Sequence, residues 1–299
     1  MTVQELKSRY LNDLKKLYPK EEIQSFFNLL ISHKLKLSRT DIALNPNLNL
    51  QKGDEDFFIN ALSDLHQEKP IQYIIGETEF CGLTFKVGKD VLIPRPETEE
   101  LVDWILEDRR QRTEDKGQLQ ILDIGAGSGC IAISLAKNLP NASVYGLDIS
   151  KNALQIARYN AKINNVDVNF MEHDILQTAS VQNVISSLSE KSQQLKFDII
   201  VSNPPYVREL EKKEIQNNVL ENEPHLALFV ADKNSLSFYD KIADFAKAHL
   251  AENGQLYFEI NQYLGQETVK LLQQKGFVNI ELKKDMLDND RMIKTSLLK

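Results

Sequence analysis

Cysteine, tryptophan, long apolar runs and excess positive charge are all scarce in this chain of 299 residues. Only two cysteines occur, Cys81 and Cys130, without ligand-like spacing. Neither a disulfide framework nor a zinc or other metal site is expected, which suits a reducing cytoplasm. No apolar stretch approaches the roughly 20 residues of a membrane-spanning helix. The first residues, Met1-Thr2-Val3-Gln4-Glu5-Leu6-Lys7, lack the apolar core of a signal peptide. A soluble, intracellular chain with no membrane partner is therefore expected. Lys and Arg number 36 against 43 Asp and Glu, a formal net charge of -7. Duplex-binding proteins carry a basic footprint, so this balance argues against direct nucleic-acid binding. With 42% hydrophobic residues, the chain can bury a core large enough for one big domain and a small one.

The most informative stretch is Ser202-Asn203-Pro204-Pro205-Tyr206, which follows the apolar run Phe197-Asp198-Ile199-Ile200-Val201. The run reads as a buried strand, and two prolines stop it in a rigid loop. Proline has a fixed φ and no N–H, so the carbonyls of Asn203 and Pro204 cannot be absorbed into a continuing helix or ladder. A side-chain amide oxygen and a neighbouring carbonyl, held at a strand end, can both accept from one planar –NH2 group. The plain alternative is that a polar residue and two prolines simply end a strand.

Upstream, Gln120-Ile121-Leu122-Asp123-Ile124 is a short apolar strand that runs into Gly125-Ala126-Gly127-Ser128-Gly129, and Cys130 to Asn138 reads as a helix. Glycines at alternate positions allow a sharp strand-to-helix turn and a close backbone approach to a ligand. The spacing is G-x-G-x-G, not the dinucleotide G-x-G-x-x-G. A second strand, Val144 to Leu147, ends in Asp148, where a carboxylate can accept from both hydroxyls of a ribose. Turn, strand and terminal Asp in register carry more weight than the turn alone.

Together the D-x-G-x-G-x-G turn, the acidic end of the second strand and Asn203-Pro204-Pro205-Tyr206 resemble the Rossmann-like methyltransferases that use S-adenosylmethionine. More narrowly, the chain resembles the HemK/PrmC family of protein-(glutamine-N5) methyltransferases, which modify the Gly-Gly-Gln loop of peptide chain release factors and so support translation termination. The likeness runs from about Gln72 to the C-terminus. It includes Ile93-Pro94-Arg95-Pro96-Glu97-Thr98-Glu99 and Glu223-Pro224-His225-Leu226-Ala227-Leu228. N-P-P-Y is shared with enzymes that methylate amino groups of nucleic-acid bases; the other two stretches favour a protein substrate. After Leu228 the family usually has a glycine-rich turn, whereas this chain reads Phe229-Val230-Ala231-Asp232-Lys233-Asn234.

The resemblance implies a cofactor site of S-adenosylmethionine around Asp123, Gly125, Ala126, Gly127, Ser128, Gly129, Asp148, Asp174, Ile175 and Asn203. Asp174 would meet the adenine amino group, although as a residue it could equally be a surface helix cap. Asn203, Pro204, Pro205 and Tyr206 would form the catalytic and substrate-binding loop, with Tyr206 packing on the substrate's flat amide. Arg95 and Glu97 would belong to a loop lining the glutamine and cofactor site; the plain reading of their stretch is a linker followed by a good helix start. Product S-adenosylhomocysteine, a release-factor partner and a monomer are expected. The alternatives are glutamine methylation of a ribosomal protein, methylation of an exocyclic amino group of a base, and a cofactor-binding regulator with a dead site.

In chain order, residues 1–70 read as a small helical domain. Tyr10, Leu11, Leu14 and Leu17, then Ile23, Phe26, Phe27, Leu30 and Ile31, then Phe57, Phe58, Ala61, Leu62 and Leu65 recur at helical spacing. Such stripes ordinarily pack a helical core, and the resemblance adds docking of the protein substrate. Residues 71–94 form the linker, with a β-hairpin expected from Gln72 to Leu92. Residues 95–299 are the methyltransferase domain, an α/β unit of Rossmann-like class I type. Its further strands are expected at Val168 to Glu172, Phe197 to Val201, Gln255 to Ile260, Phe277 to Leu282 and Met292 to Leu297. Helices are expected from Glu97, at Asn152 to Asn164, at Ser235 to Leu250 stopped by Asn253-Gly254, and at Gln266 to Lys275. A surface loop is expected within the polar stretch Gln177 to Gln194. Alternation of this kind gives a mostly parallel sheet with helices on both faces, and places Gly125, Asp148, Asp174 and Asn203 around one crevice at the strand ends.

Overall fold

The computed structural model describes residues 1–111, 118–177 and 195–298. The loop expected between Gln177 and Gln194 lies, beyond Gln177, outside the described residues. Two compact units emerge: Met1–Gly76 with Gln216–Asn222, and Glu77–Ile215 with Glu223–Lys299.

The smaller unit packs the helices Val3–Leu14, Lys20–Leu35 and Lys52–His66, with short helices at Arg39–Leu44 and Ile71–Ile75. Thr2 starts the first helix through a capping box: its hydroxyl accepts from the Glu5 N–H at 3.2 Å, and Glu5 accepts from the Thr2 N–H at 2.8 Å. Val3, Leu6, Tyr10 and Leu14 form the buried stripe of that helix. The Tyr10 hydroxyl, buried among Phe27 and Phe58, donates to the Phe58 carbonyl at 2.7 Å, so its polar end is satisfied.

The hairpin is shorter than the sequence suggests. Ile71–Ile75 is β-prone, yet Pro70 sets a helical entry and Gly76, at φ 83°, closes a single helical turn. Pairing begins only at Glu77, with β1 (Glu77–Phe80) antiparallel to β2 (Leu83–Lys86). Its turn places Cys81 and Gly82 at φ 48° and 70°. The Cys81 N–H donates to Glu99 at 2.7 Å, and buried Asn160 bonds both backbone groups of Lys86.

The central sheet has seven strands in the order β10-β11-β9-β6-β3-β4-β5. These are β3 (Gln120–Ile124), β4 (Ser143–Asp148), β5 (Asn169–Glu172), β6 (Phe197–Ser202), β9 (Leu250–Glu259), β10 (Phe277–Lys284) and β11 (Asp290–Leu297). All neighbours are parallel except β11, which runs antiparallel between β9 and β10. Strand alternation separates two cores. Leu122, Ile124, Ile200, Leu256 and Phe258 face one, with the helix Ser237–His249; Ile121, Ile199, Val201 and Tyr257 face the other, with the helices Pro96–Gln111 and Cys130–Asn138. A small parallel pair, β7 (Val207–Arg208) and β8 (Phe229–Val230), lies outside the main sheet. Phe229 and Val230, the residues that directly follow Leu228, are thus strand.

Asn253-Gly254 does not end the preceding helix. That helix stops at His249, and β9 begins at once with Leu250. The pairing with β6 slips between Phe197↔Leu250 and Ile199↔Gln255, so Asn253-Gly254 falls in a bulge. A Cβ at Gly254 would lie 2.8 Å from the Phe197 carbonyl oxygen, which accounts for glycine there.

Strand order reverses between β3 and β6, since the chain builds β4 and β5 on one side of β3 and then β6 and β9 on the other. Ligands of open parallel sheets bind at the carboxyl ends of strands beside such a reversal. The residues there are Gly125 after β3 and Asn203 after β6.

Candidate active site

After β3 the chain turns on Gly125, Gly127 and Gly129, at φ 79°, 53° and 81°. The N–H groups of Gly125 and Ala126 donate to the Leu147 carbonyl at 2.7 and 3.0 Å, locking the turn against β4. At the end of β4 the Asp148 carboxylate accepts from the Gly127 N–H and the Ser150 N–H, both at 2.8 Å. Burial pushes Asp148 above its ordinary value, while these backbone donors favour its charged form.

Gly129 is constrained twice. Besides its positive φ, a Cβ there would lie 2.9 Å from Ile133 Cδ1, 3.1 Å from Phe170 Cζ and 3.2 Å from Ala157 Cβ. At Gly127 the nearest such atom is 4.0 Å away. Gly129→Ala is therefore expected to destabilise the chain by about 2–4 kcal/mol, and Gly127→Ala by only about 1 kcal/mol of backbone strain. Urea unfolding of both variants checks this; equal costs would mean that backbone strain, not packing, governs the turn.

Asp123, at the end of β3, is fully buried. Its Oδ2 accepts from the Ala132 N–H at 3.2 Å, and its Oδ1 has no hydrogen-bond partner among the described residues. Burial raises its carboxyl to about 7.

After β6 the Ser202 hydroxyl donates to the Ile124 carbonyl at 2.6 Å, pinning the ends of β6 and β3 together. A Cβ built on Gly125 would lie 3.8 Å from the Asn203 carbonyl oxygen, so the glycine turn and the proline loop approach backbone to backbone. Asn203 Nδ2 donates to the Thr98 hydroxyl at 3.2 Å, and that hydroxyl donates to Glu259 Oε2 at 2.6 Å. The Tyr206 hydroxyl donates to the other oxygen, Glu259 Oε1, at 3.0 Å. Thr98 and Glu259 are 2% and 1% exposed, so this relay is dry. Burial raises Glu259 against the Thr98 and Tyr206 hydroxyls and the positive Arg291, which all favour its charged form. The Tyr206 carbonyl accepts from Asn261 Nδ2 at 2.9 Å, which fixes the far end of the loop.

The two flanking signatures meet. Arg95 Nη2 reaches Glu223 Oε1 at 2.5 Å, and Glu223 Oε2 accepts from the Ile93 N–H at 3.1 Å. Glu223 is buried, so this ion pair anchors the two loops to one another.

These elements surround a cavity of ≈ 360 Å³. Gly125, Gly127, Asp148, Asp174, Ile175, Asn203, Pro204 and Pro205 border it, and Leu92, Ile149, Leu226 and Phe238 supply apolar wall. Asp174 also closes its local turn, accepting from the Leu176 N–H at 2.9 Å and from Gln177 at 3.2 Å. Of the residues singled out from the sequence, Asp123, Ala126, Ser128, Gly129, Arg95, Glu97 and Tyr206 do not border the cavity. Ala126, Ser128 and Gly129 form the turn behind it. Tyr206 is half-buried against the core, with its hydroxyl held by Glu259. Thr98 and Glu259 were not singled out. Thr98 lies inside the proline-flanked signature, and Glu259 is an acidic residue closing a buried strand, the same signal that pointed to Asp148.

The donor set suits S-adenosylmethionine. A carboxylate with lone pairs left over after two backbone contacts matches a ribose diol, apolar wall matches a flat base, and a cavity of ≈ 360 Å³ matches a nucleoside-sized ligand. Among the described residues no cluster of three or more His, Cys, Asp or Glu is arranged to hold a metal, and no helix is long and apolar enough to cross a membrane.

Residues 110–228 match the family described as Methyltransferase small domain, and residues 8–76 match the PrmC N-terminal domain. The chain is 52% identical over 296 residues to the Release factor glutamine methyltransferase of Flavobacterium psychrophilum, covering 99% of each protein. It is 41% identical over 280 residues to the protein of the same name from Bacteroides thetaiotaomicron, covering 94% of this chain and 95% of that one. The catalytic domain of hMettl16, in complex with the MAT2A 3′UTR hairpin 6, has a similar fold, with a TM-score of 0.53 at 14% identity over 84% of each chain.

Proposed function

The chain belongs to the release factor glutamine methyltransferase family, and from that premise we propose that its cleft transfers a methyl group to the side-chain N5 of the glutamine in the Gly-Gly-Gln loop of a peptide chain release factor. S-adenosyl-L-methionine, when bound, supplies a methyl group on a positive sulfur, already an electrophile, and leaves as S-adenosyl-L-homocysteine. The residues of this chain therefore contribute position and polarity more than acid or base strength. A carboxamide nitrogen is a poor nucleophile because its lone pair is delocalised into the carbonyl. Asn203 Oδ1 and the Pro204 carbonyl accept the two N–H groups of the substrate amide, which raises electron density on nitrogen and aims its lone pair. The same two acceptors stabilise the positive charge that develops there. The proton leaves after methyl transfer, when the amide is strongly acidic, so no general base is required.

The observation that carries this reading is the commitment of Asn203 Nδ2 to Thr98. With its donor end engaged, the amide presents its acceptor end at the cavity border. Asp148 takes the ribose hydroxyls, Asp174 and Ile175 the adenine, and the glycine turn the close backbone approach. The ion pair of Arg95 and Glu223 stiffens the substrate side. One chain carries all of these residues, which supports a monomer as the working form, and a release-factor substrate supports the cytoplasm as its compartment.

The test is methyl transfer from labelled S-adenosylmethionine to a purified release factor, to the factor with its Gly-Gly-Gln glutamine replaced by alanine, to ribosomal protein, and to DNA and RNA. Label on the intact factor that vanishes with the replacement supports the reading. Label on nucleic acid alone would make Asn203 the holder of a base amino group instead.

A further inference from the structure

The amide of Asn203 can serve as an acceptor only if it does not flip, and Asn203 alone does not prevent that. Its two ends are nearly the same size, so the difference must come from what they face. Nδ2 faces the Thr98 hydroxyl, which has one proton and can donate or accept along that line. What decides its direction is Glu259. Each oxygen of this carboxylate receives one hydroxyl, Thr98 at 2.6 Å and Tyr206 at 3.0 Å. In its charged form, which the two hydroxyls and Arg291 favour against burial, the carboxylate only accepts; it draws the Thr98 proton to itself and leaves the Thr98 oxygen only lone pairs to offer Asn203. Nδ2 then has to point at Thr98, and Oδ1 away from it. Arg291, held by Asp285 at 3.0 Å, supplies positive charge near Glu259.

We infer that Glu259 is a positioning residue for methyl transfer: through Thr98 it fixes the polarity of the Asn203 amide so that Oδ1 is the end presented to the substrate nitrogen. The inference rests on the role given to Asn203 above. Glu259 lies outside the cavity border, so its influence on the substrate runs through Thr98 and the proline loop. Its second contact, with Tyr206, ties the end of the proline loop to the same carboxylate, so one group sets both the orientation of the amide and the position of the loop bearing it.

Glu259→Gln is nearly isosteric, but its amide can donate to the Thr98 oxygen. The Thr98 proton is then released to Asn203, and the flipped amide competes with the productive one. Thr98→Val removes the relay without changing volume, and Thr98→Ser keeps the hydroxyl. Full-length variants are compared for kcat and KM with a release factor and for affinity toward S-adenosylmethionine. Glu259→Gln and Thr98→Val are each expected to lower kcat about 10²-fold, comparable to losing one transition-state hydrogen bond. KM and cofactor affinity stay within about threefold, and Thr98→Ser stays within about threefold of the unmodified protein in kcat. The double variant Glu259→Gln/Thr98→Val falls no more than about threefold below either single one, because both break the same relay. A fully multiplicative double variant, or unimpaired turnover in Thr98→Val, would overturn the inference. Should Glu259→Gln lose its fold, seen as lost cofactor binding, the contrast between Thr98→Val and Thr98→Ser still decides. If the unmodified protein puts no label on the release factor, the reading of the function itself is what fails.

Discussion

Asn203→Ala is expected to lower turnover by about 10²- to 10³-fold while leaving affinity for S-adenosylmethionine within a few-fold. The side chain supplies one of two acceptors for the substrate amide, and its backbone remains to form the loop and approach Gly125. Truncation removes the Oδ1 acceptor and leaves the Thr98 hydroxyl without its second partner, but the Ser202–Ile124 and Tyr206–Glu259 contacts that hold the loop persist. The loss should therefore appear in kcat, where an interaction made in the transition state is read, and not in cofactor affinity. Asn203→Asp is expected to be no better than alanine. A carboxylate cannot donate to Thr98, whose only proton is drawn to Glu259, and it adds a second negative charge beside a dry one. Rapid-quench turnover and calorimetric titration with the cofactor check both variants. Unchanged turnover in Asn203→Ala would remove Asn203 from the chemistry.

Much of the central sheet was legible because buried parallel strands read as continuous apolar runs with sharp ends. Gln120–Ile124 and the helix Cys130–Asn138 fall where the glycine turn punctuates them, and Phe197–Ser202 extends the expected strand by one residue up to the prolines. Errors arose where local preference and context disagree. Ile71–Ile75 is β-prone but is held in one helical turn by Pro70 and Gly76. Asn253-Gly254 carries the signature of a helix stop, yet a slip in register between β6 and β9 absorbs it. The candidate site divides the same way. Gly125, Asp148, Asp174 and Asn203 announce themselves by their place at strand ends, each signal contained in a few residues. The relay behind Asn203 joins residues 105 and 161 positions apart, and no local pattern encodes that Thr98 will face both Asn203 and Glu259. The Tyr206 ring is suggested by its motif alone, whereas the tie of its hydroxyl to Glu259, 53 positions on, is not.

Asp148→Ala should act on binding instead of chemistry. In the folded chain its carboxylate accepts from the backbone N–H groups of Gly127 and Ser150, one on each oxygen, with the Ile149 N–H also favouring its charged form, and a carboxylate's roughly four acceptor positions leave room for a ribose hydroxyl. Hydrogen bonds to a charged group contribute about 1.5–3 kcal/mol each. Losing that contact predicts a fall in cofactor affinity of about 10- to 10²-fold, and the Gly127 N–H also loses its acceptor at the turn. Asp148→Asn should recover little, because whichever end its –NH2 occupies faces a backbone donor. At saturating cofactor, kcat should stay within a few-fold in both variants, since the Asn203 relay is untouched. The pH dependence has a definite sign. Burial raises the Asp148 carboxyl, so on acidification it takes up a proton before an ordinary surface aspartate does. The charged acceptor is present above that raised value, and cofactor affinity falls as pH drops through it. Asp148→Ala lacks this group, so the part of the acid-side loss due to Asp148 should disappear together with the affinity. Calorimetric titrations with S-adenosylhomocysteine across the acidic range test both effects. Full affinity in Asp148→Ala, or turnover lost without affinity, would move the ribose contact elsewhere in the cavity.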